Sequence, residues 1–435
     1  MSHGERSGLN RRELIQLGAA AGFGVAVSPL KSAAAEPAAS EGGDVLSRAW
    51  IDLCERLKQA APALDAAPAR SPQDRATGYR YLTRLLVQTL DRELEYADPD
   101  FPIFFRSQSP RSQQGGPNPD TSYITCRIDG SQTYRIRGHR GSAHLVTFST
   151  MRGASAMREG KPATVDDLVG DGLRTQADGS FEVGVGPERK GEGNWLQTTP
   201  ETEAVLIRQI FGRWDVEEPM RLEIERVAGG GAPPAPSPEE IALRLGRVGA
   251  TVPFMADYWV KDLARFLATP NEFKEYQEAK NEDRTIAYTP GGRALVGVWK
   301  LAPGEALLIE LDPPHDALYW GYELGNYWFE VDYRYHLSSL NSVGAVADED
   351  GRVRTIVSGG DPGGWPNWLD PGGHEIGHMV FRWIGSREEV MPRCRRVALA
   401  DLEGVLPATT RRLSPAERAE QLARRRRGID RRWPV

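Results

Sequence analysis

The most suggestive short motif is His374-Glu375-Ile376-Gly377-His378, which has the H-E-x-x-H spacing of zinc proteases. That chemistry needs both histidines on one helical face, with the glutamate as base. Gly372 and Gly373 precede the motif, Gly377 lies inside it, and Met379 to Trp383 read as strand. On a strand the two histidines stand ~13 Å apart along the axis, too far to share one ion. The segment is expected to be non-helical, with no metal and no cofactor, leaving His374 as a candidate acid, base or orienting group. Three carboxylates complete the candidate catalytic set. Asp120 follows the glycine-rich loop Ser112 to Pro117, while Asp361 and Asp370 bracket Trp365, Pro366, Asn367 and Trp368. Paired carboxylates beside tryptophans are the ingredients of a sugar-cleaving site; the competing reading is that these aspartates cap turns. Candidate substrate-binding residues are Asn118, Tyr123, Trp320, Arg334, Trp365, Asn367 and Trp368. Residues 319–335 hold eight aromatics in 17 positions, more than one strand face needs. Most fit a core. The others, with Asn326, Asp332, Arg334 and His336 nearby, suit a sugar ring or a lipophilic molecule.

These residues need a scaffold. Leu46, Trp50, Leu53 and Leu57 recur at helical spacing, and Ser71-Pro72-Gln73-Asp74 opens a second helix running to about Tyr96. From Phe101, short alternating runs such as Tyr134-Arg135-Ile136-Arg137 read as strands. Gly229 to Pro236 is a linker by composition, and Ser237-Pro238-Glu239-Glu240 starts helices reaching about Asn281. Strand texture returns from Arg293 to Trp383, and Ser414-Pro415-Ala416-Glu417 starts a helix ending in Arg424 to Arg427. A shift of 173 residues lays Tyr134-Arg135-Ile136-Arg137 over Leu307-Leu308-Ile309-Glu310, and Asn194-Trp195-Leu196 over Asn367-Trp368-Leu369. The fold class expected is mainly β with helical segments (α+β). It comprises two tandem antiparallel β-sandwich or jelly-roll-like modules behind an N-terminal helical region. Their junction is a natural groove for a ligand.

The chain has 435 residues, 40% hydrophobic and 26% charged, enough to build a large core. Residues 1–35 carry Arg6, Arg11, Arg12 and Lys31 against Glu5 and Glu13. Without them the net charge of -6 becomes more acidic, which argues against a nucleic-acid partner. Arg11-Arg12 before the apolar stretch Leu14 to Leu30, then Ala33-Ala34-Ala35, make a twin-arginine-type signal peptide. The expected location is periplasmic or secreted, with no membrane-spanning segment in the mature chain. Cys54, Cys126 and Cys394 are too scattered for a zinc ribbon or a disulfide framework. Walker, dinucleotide and Gly-x-Ser-x-Gly motifs are absent.

Ser339-Leu340-Asn341-Ser342, Asp361-Pro362-Gly363-Gly364, Pro366-Asn367-Trp368-Leu369-Asp370 and Phe381-Arg382-Trp383 form a dense signature. It resembles the family called domain of unknown function 1214. Gly116-Pro117-Asn118-Pro119-Asp120-Thr121-Ser122-Tyr123 resembles the signature of the related 1254-type half. The resemblance implies a β-rich bacterial protein, often exported, without an agreed reaction. The organisation expected is a signal (1–35), a helical region (36–100), a 1254-like module (101–228), linker and helices (229–285), a 1214-like module (286–400), and a C-terminal helix with a basic tail (401–435). Two functions fit. One is an enzyme acting on a sugar or lipophilic small molecule in an aromatic, carboxylate-lined groove between the modules. The other is a non-catalytic ligand-binding or envelope protein. The partner expected is a small molecule, glycan or lipid, with a homo-oligomer left open. If the loops near Asp120, Trp320 and Asp361–His374 make one site, Asp120 and His374 should both reach one small molecule, within roughly 10 Å.

Overall fold

The computed structural model describes residues 44–152, 163–276 and 289–432. The signal read in residues 1–35 lies outside them. Helix α1 (Val45–Lys58) is capped by Asp44, which accepts from the Ser47 amide; α2 (Ala61–Ala66) and α3 (Pro72–Leu90) follow. Ser71 accepts from the Asp74 amide and Pro72 takes the first helical position, where a missing N–H costs nothing. A π-helical turn, Asp91–Glu95, ends this region.

The first module contains β1 (Phe105–Arg106), β2 (Thr121–Arg127), β3 (Tyr134–His139), β4 (Leu145–Arg152), β5 (Thr164–Val169), β6 (Ser180–Gly186), β7 (Asn194–Gln197), β8 (Thr202–Ile210) and β9 (Arg221–Arg226). The second contains β10 (Lys274–Glu275), β11 (Gly292–Lys300), β12 (Glu305–Leu311), β13 (Tyr319–Leu324), β14 (Ser339–Asn341), β15 (Val353–Val357), β16 (Trp368–Leu369), β17 (Ile376–Ile384) and β18 (Arg393–Ala398). The sheets run β1-β2-β8-β4-β5 and β7-β6-β3-β9 in the first module, and β10-β11-β17-β13-β14 and β16-β15-β12-β18 in the second. Adding nine to each first-module label gives the second module, strand for strand. Asn194-Trp195 and Trp368 occupy matching short strands, each parallel to its neighbour. In each module the faces of the two sheets share one core, as Val146, Phe148 and Ile207 meet Ile136 and Val183 in the first.

The repeat is looser than a single offset. Leu145 opposite Ile210 and Tyr319 opposite Ile384 stand at matching ends of their strand pairs, an offset of 174. These four residues pack together, so the modules meet through equivalent strand ends. Helix α4 (Pro238–Ala264) lies against α1 and α3, burying Val248, Val252, Met255 and Leu263. It ends before the expected Asn281, and β10 joins the second module ahead of residue 286. After the short α5 (Leu402–Val405), α6 (Pro415–Arg432) continues past the arginine run. Gly428 allows this docking, since a Cβ there would lie 2.3 Å from Trp214 Cβ. Among the described residues, no helix is long and apolar enough to cross a membrane.

Candidate functional site

The segment 374–378 is a loop entering β17 and not a helix. His378 is fully buried, with Nδ1 2.9 Å from the Asn326 carbonyl. His374 lies in the loop and donates from Nδ1 to Asp74 Oδ1 at 2.5 Å. Among the described residues, no group of three or more His, Cys, Asp or Glu side chains is placed to hold a metal ion.

His374 lines a polar cleft of about 480 Å³ between α3 and the second module. A second histidine, His336, lines it too, its Nδ1 2.7 Å from Asp370 Oδ2. Asp370 also accepts from the Gly372 amide, which fixes the loop 370–374, and Gln73 of α3 donates to the Gly372 carbonyl. Farther along the wall Glu330 is buried and paired with Arg84 at 2.5 Å, while Asn326 donates to its other oxygen at 3.1 Å. Two oriented imidazoles and a buried carboxylate in one cleft can move protons to and from a bound molecule.

The charges are tuned. The Asp370 hydrogen bond outweighs burial and raises the pKa of His336 above its usual value, favouring imidazolium. Burial opposes the charge on Asp74, but hydrogen bonds from His374 and Ser71 overcome it and hold its carboxyl below the ordinary carboxylate range. Asp74 thus keeps the charge that orients His374.

The turn Gly325–Val331 forms part of the cleft wall. Asn326 Oδ1 accepts from the amides of Trp328 and Glu330, and Phe329 is held at φ 55°. Gln113 of the first module bonds both backbone groups of Val331, and the Gly116 amide donates to the Phe329 carbonyl. A Cβ at Gly325 would lie 2.1 Å from His378 Cε1, so only glycine fits. Phe329, on the same turn, lines a second cavity of about 150 Å³ where the modules meet.

The sequence-derived set is divided. Asp370, His374 and Arg334 line the cleft, and Tyr123 lines the second cavity. Asp120 is buried and lines a third hollow with Trp368. It accepts from Tyr319 at 2.6 Å and Trp214 at 2.7 Å, and burial raises its pKa despite these bonds and nearby Arg432. Asn118 completes this knot by donating to Tyr319. Asp120 and His374 line different cavities, so the single convergent site expected from the sequence is not formed. Asp361 does not partner Asp370; it caps Gly363 and Gly364 and pairs with Arg418 of α6 at 2.8 Å. Trp320 is in the core, and Trp365 is buried beneath Arg412, whose guanidinium lies 3.3 Å from the ring centroid. Asn367 fastens Val346 and Arg354. Of the aromatics in 319–335, Tyr335 is exposed and the others are buried.

Sequence reasoning missed Asp74, which reads only as a capping residue, and Glu330 and Arg84, which carry no motif. It noticed His336 without its aspartate. That pair joins two loops 34 residues apart, and no local pattern of the sequence marks it.

Residues 125–212 match the family described as "Protein of unknown function (DUF1214)". A solved structure of an uncharacterized protein from Burkholderia cenocepacia is 32% identical, covering 82% of this chain and 98% of that one, with a TM-score of 0.77. The chain belongs to one family with that protein. The VPA0106 protein from Vibrio parahaemolyticus is 14% identical over 80% of this chain and 99% of that one, with a TM-score of 0.43. No curated protein matches the chain. The DUF1214 match lies on the first module, where the sequence suggested a 1254-type half, and not over the second-module residues that carried the resemblance. The two modules share one strand order, so one pattern of strands and turns has two places to fall.

Proposed function

We propose that the cleft between α3 and the second module is an acid–base site acting on a small hydroxylated molecule of the sugar class. One observation carries this reading: two histidines, each with Nδ1 held by a carboxylate, line the same polar cleft. In both rings Nε2 is the nitrogen left for a substrate. A carboxylate on Nδ1 fixes the tautomer and steadies the imidazolium that forms. His374, backed by Asp74, takes a proton from a substrate hydroxyl or C–H. His336, favoured as imidazolium by Asp370, returns one to an oxygen. Arg334 and Glu330 line the same cleft and position polar groups of the substrate.

The test is exchange in heavy water. Aldoses, uronic acids and chromogenic glycosides are incubated with the protein and followed by NMR for deuterium uptake or cleavage. At least one class should react, and His374→Gln or His336→Gln should each slow it by roughly 10²–10⁴-fold. Turnover that survives both changes would sink the assignment. The reading includes export by the twin-arginine signal, supported by Arg11-Arg12 and Ala33-Ala34-Ala35, and a 1254-type kinship, supported by Gly116 to Tyr123.

A further inference from the structure

The cleft beside α3 carries a charge pattern that two histidines and their carboxylates leave unused. Gln73, Thr77, Arg80 and Arg84 line it, and their spacing puts them on one face of α3. The Gln73 end is fastened to the Gly372 carbonyl beside His374, and the Arg84 end to buried Glu330. Arg80 lies between them, roughly 9 Å along the helix axis from Asp74 and roughly 6 Å from Arg84. A second arginine comes from the first module. Ser109 and Ser112 exchange both backbone hydrogen bonds, so Pro110 and Arg111 form the tip of a tight turn. The Ser109 hydroxyl accepts from the Arg111 amide, and both tip residues line the cleft.

Most charges in this wall are answered. Arg84 pairs with Glu330, His336 with Asp370, and Arg334 with Asp430. Arg80 and Arg111 are exposed, and neither side chain has a hydrogen bond, ion pair or ring contact among the described residues. Asp332 is the lining carboxylate left without an ion pair among the described residues, so arginines outnumber carboxylates in the wall. This surplus stands in a chain whose net charge is -6. Chemistry gives the matching anion its form. An imidazole removes a carbon-bound proton only where the charge left behind moves onto an oxygen held by cations. A sugar bearing a carboxylate offers both parts, a C–H acidified by the carboxylate and the oxygens that take up the charge. Arginine suits it, because the planar fork meets a carboxylate through two parallel N–H···O bonds. The cleft, at about 480 Å³, falls in the usual range of a small-molecule site.

Resting on the acid–base reading of this cleft, we propose that its substrate is a uronate-containing oligosaccharide, with the carboxylate held by Arg80 and Arg111, and that the reaction is a β-elimination. His374 Nε2 takes the proton from the carbon beside the carboxylate. The C–H electron pair becomes a C=C bond, the C–O bond at the next carbon breaks, and the leaving oxygen takes a proton from His336 Nε2. His374 ends with one proton more and His336 with one fewer, and exchange with water restores both. Arg80 and Arg111 neutralise the carboxylate as it takes up the second negative charge.

The test incubates the full chain with oligosaccharides of galacturonate, mannuronate and glucuronate, and with the same sugars after their carboxylates are reduced to alcohols. At least one uronate should be cleaved to an end group whose C=C bond is conjugated with the carboxylate and absorbs in the ultraviolet. The reduced forms should be inert. Arg80→Gln and Arg111→Gln should each lower kcat/KM by roughly tenfold or more. Their thermal unfolding midpoints should match the parent, because neither side chain has a partner to lose. His374→Gln keeps both arginines and should still bind the uronate in calorimetry, more weakly as salt rises. Cleavage of a uronate without the conjugated end group would overturn the elimination. Undiminished turnover in both arginine variants would overturn the placement of the carboxylate. Turnover of a neutral aldose or glycoside beside inert uronates would overturn this substrate and leave the acid–base cleft standing, whereas no turnover of any sugar would sink both.

Discussion

The two modules share a strand order and differ in what their connections carry. Gln197 of the first module corresponds to Asp370 of the second at the sequence offset, and its backbone amide donates to Asp166 within the same module. Asp370 instead orients His336, and the four residues after it bring His374 to Asp74 of α3. The first module's connection is fastened to its own sheet, whereas the second module's reaches another part of the molecule. Duplicated sheets supply equivalent positions, as Arg208 and Arg382 show, but His336, Asp370 and His374 sit in loops free to diverge.

Four substitutions, one of them a control, sharpen or break this contrast. The largest effect is expected at Gly325→Ala. Its Cβ would meet His378 at 2.1 Å and the Glu330 carbonyl at 2.2 Å, so a loss of about 3 kcal/mol is expected in denaturant unfolding. Gly172→Ala in the first module meets nothing within 4 Å and should stay within about 0.5 kcal/mol of the parent. Equal effects would mean that the second module's connection is no more constrained than the first's.

Next comes Tyr319→Phe. Tyr319 corresponds to Leu145, and its hydroxyl is one of the donors on buried Asp120. Removing it should cost about 1–2 kcal/mol, with Trp214 retaining the other oxygen. A neutral result would show that Asp120 is buried in its protonated form, which burial already favours.

The smallest effect concerns pH. Asp370→Gln writes the first module's residue into the second. Because the folded pKa of His336 is raised, its contribution is fully present below the unfolded value of 6.5 and is lost as pH rises through the folded value. The parent should therefore exceed Asp370→Gln by more at pH 5 than at pH 8. The excess should be a few tenths of a kcal/mol, because His336 is partly exposed and screened by solvent. Thermal unfolding at both pH values measures it. A difference growing toward alkaline pH would reverse the sign assigned to the pair.

Much of the scaffold was legible because alternation and turn residues are local signals. Asn194-Trp195-Leu196 and Asn367-Trp368-Leu369 announced the repeat, and Trp195-Leu196 and Trp368-Leu369 do lie in matching strands. Small slips were not legible: the offset of 173 becomes 174 in β4 and β8, since bulges and loop lengths leave no mark on alternation. Within the site, His374 and Asp370 could be named from type and setting, but their partners depend on tertiary placement. Asp74 lies 300 residues from His374. Asp120 and Asp361 drew attention as carboxylates, yet carboxylates also satisfy buried donors and turns, and here they do that. Arg208 and Arg382 were hidden by their strands, where a single arginine resembles an ordinary solvent-facing position.

The Gly325–Val331 turn is a party wall, with Phe329 on the cavity where the modules meet and Glu330 on the cleft beside α3. Its left-handed Phe329 is held by bonds from Asn326 and from the first module, so the peptide planes on its two sides cannot be displaced independently. Any occupant that shifts this turn from one side changes the work of filling the other. Thermodynamic reciprocity then requires the second occupant to alter the affinity of the first by the same factor.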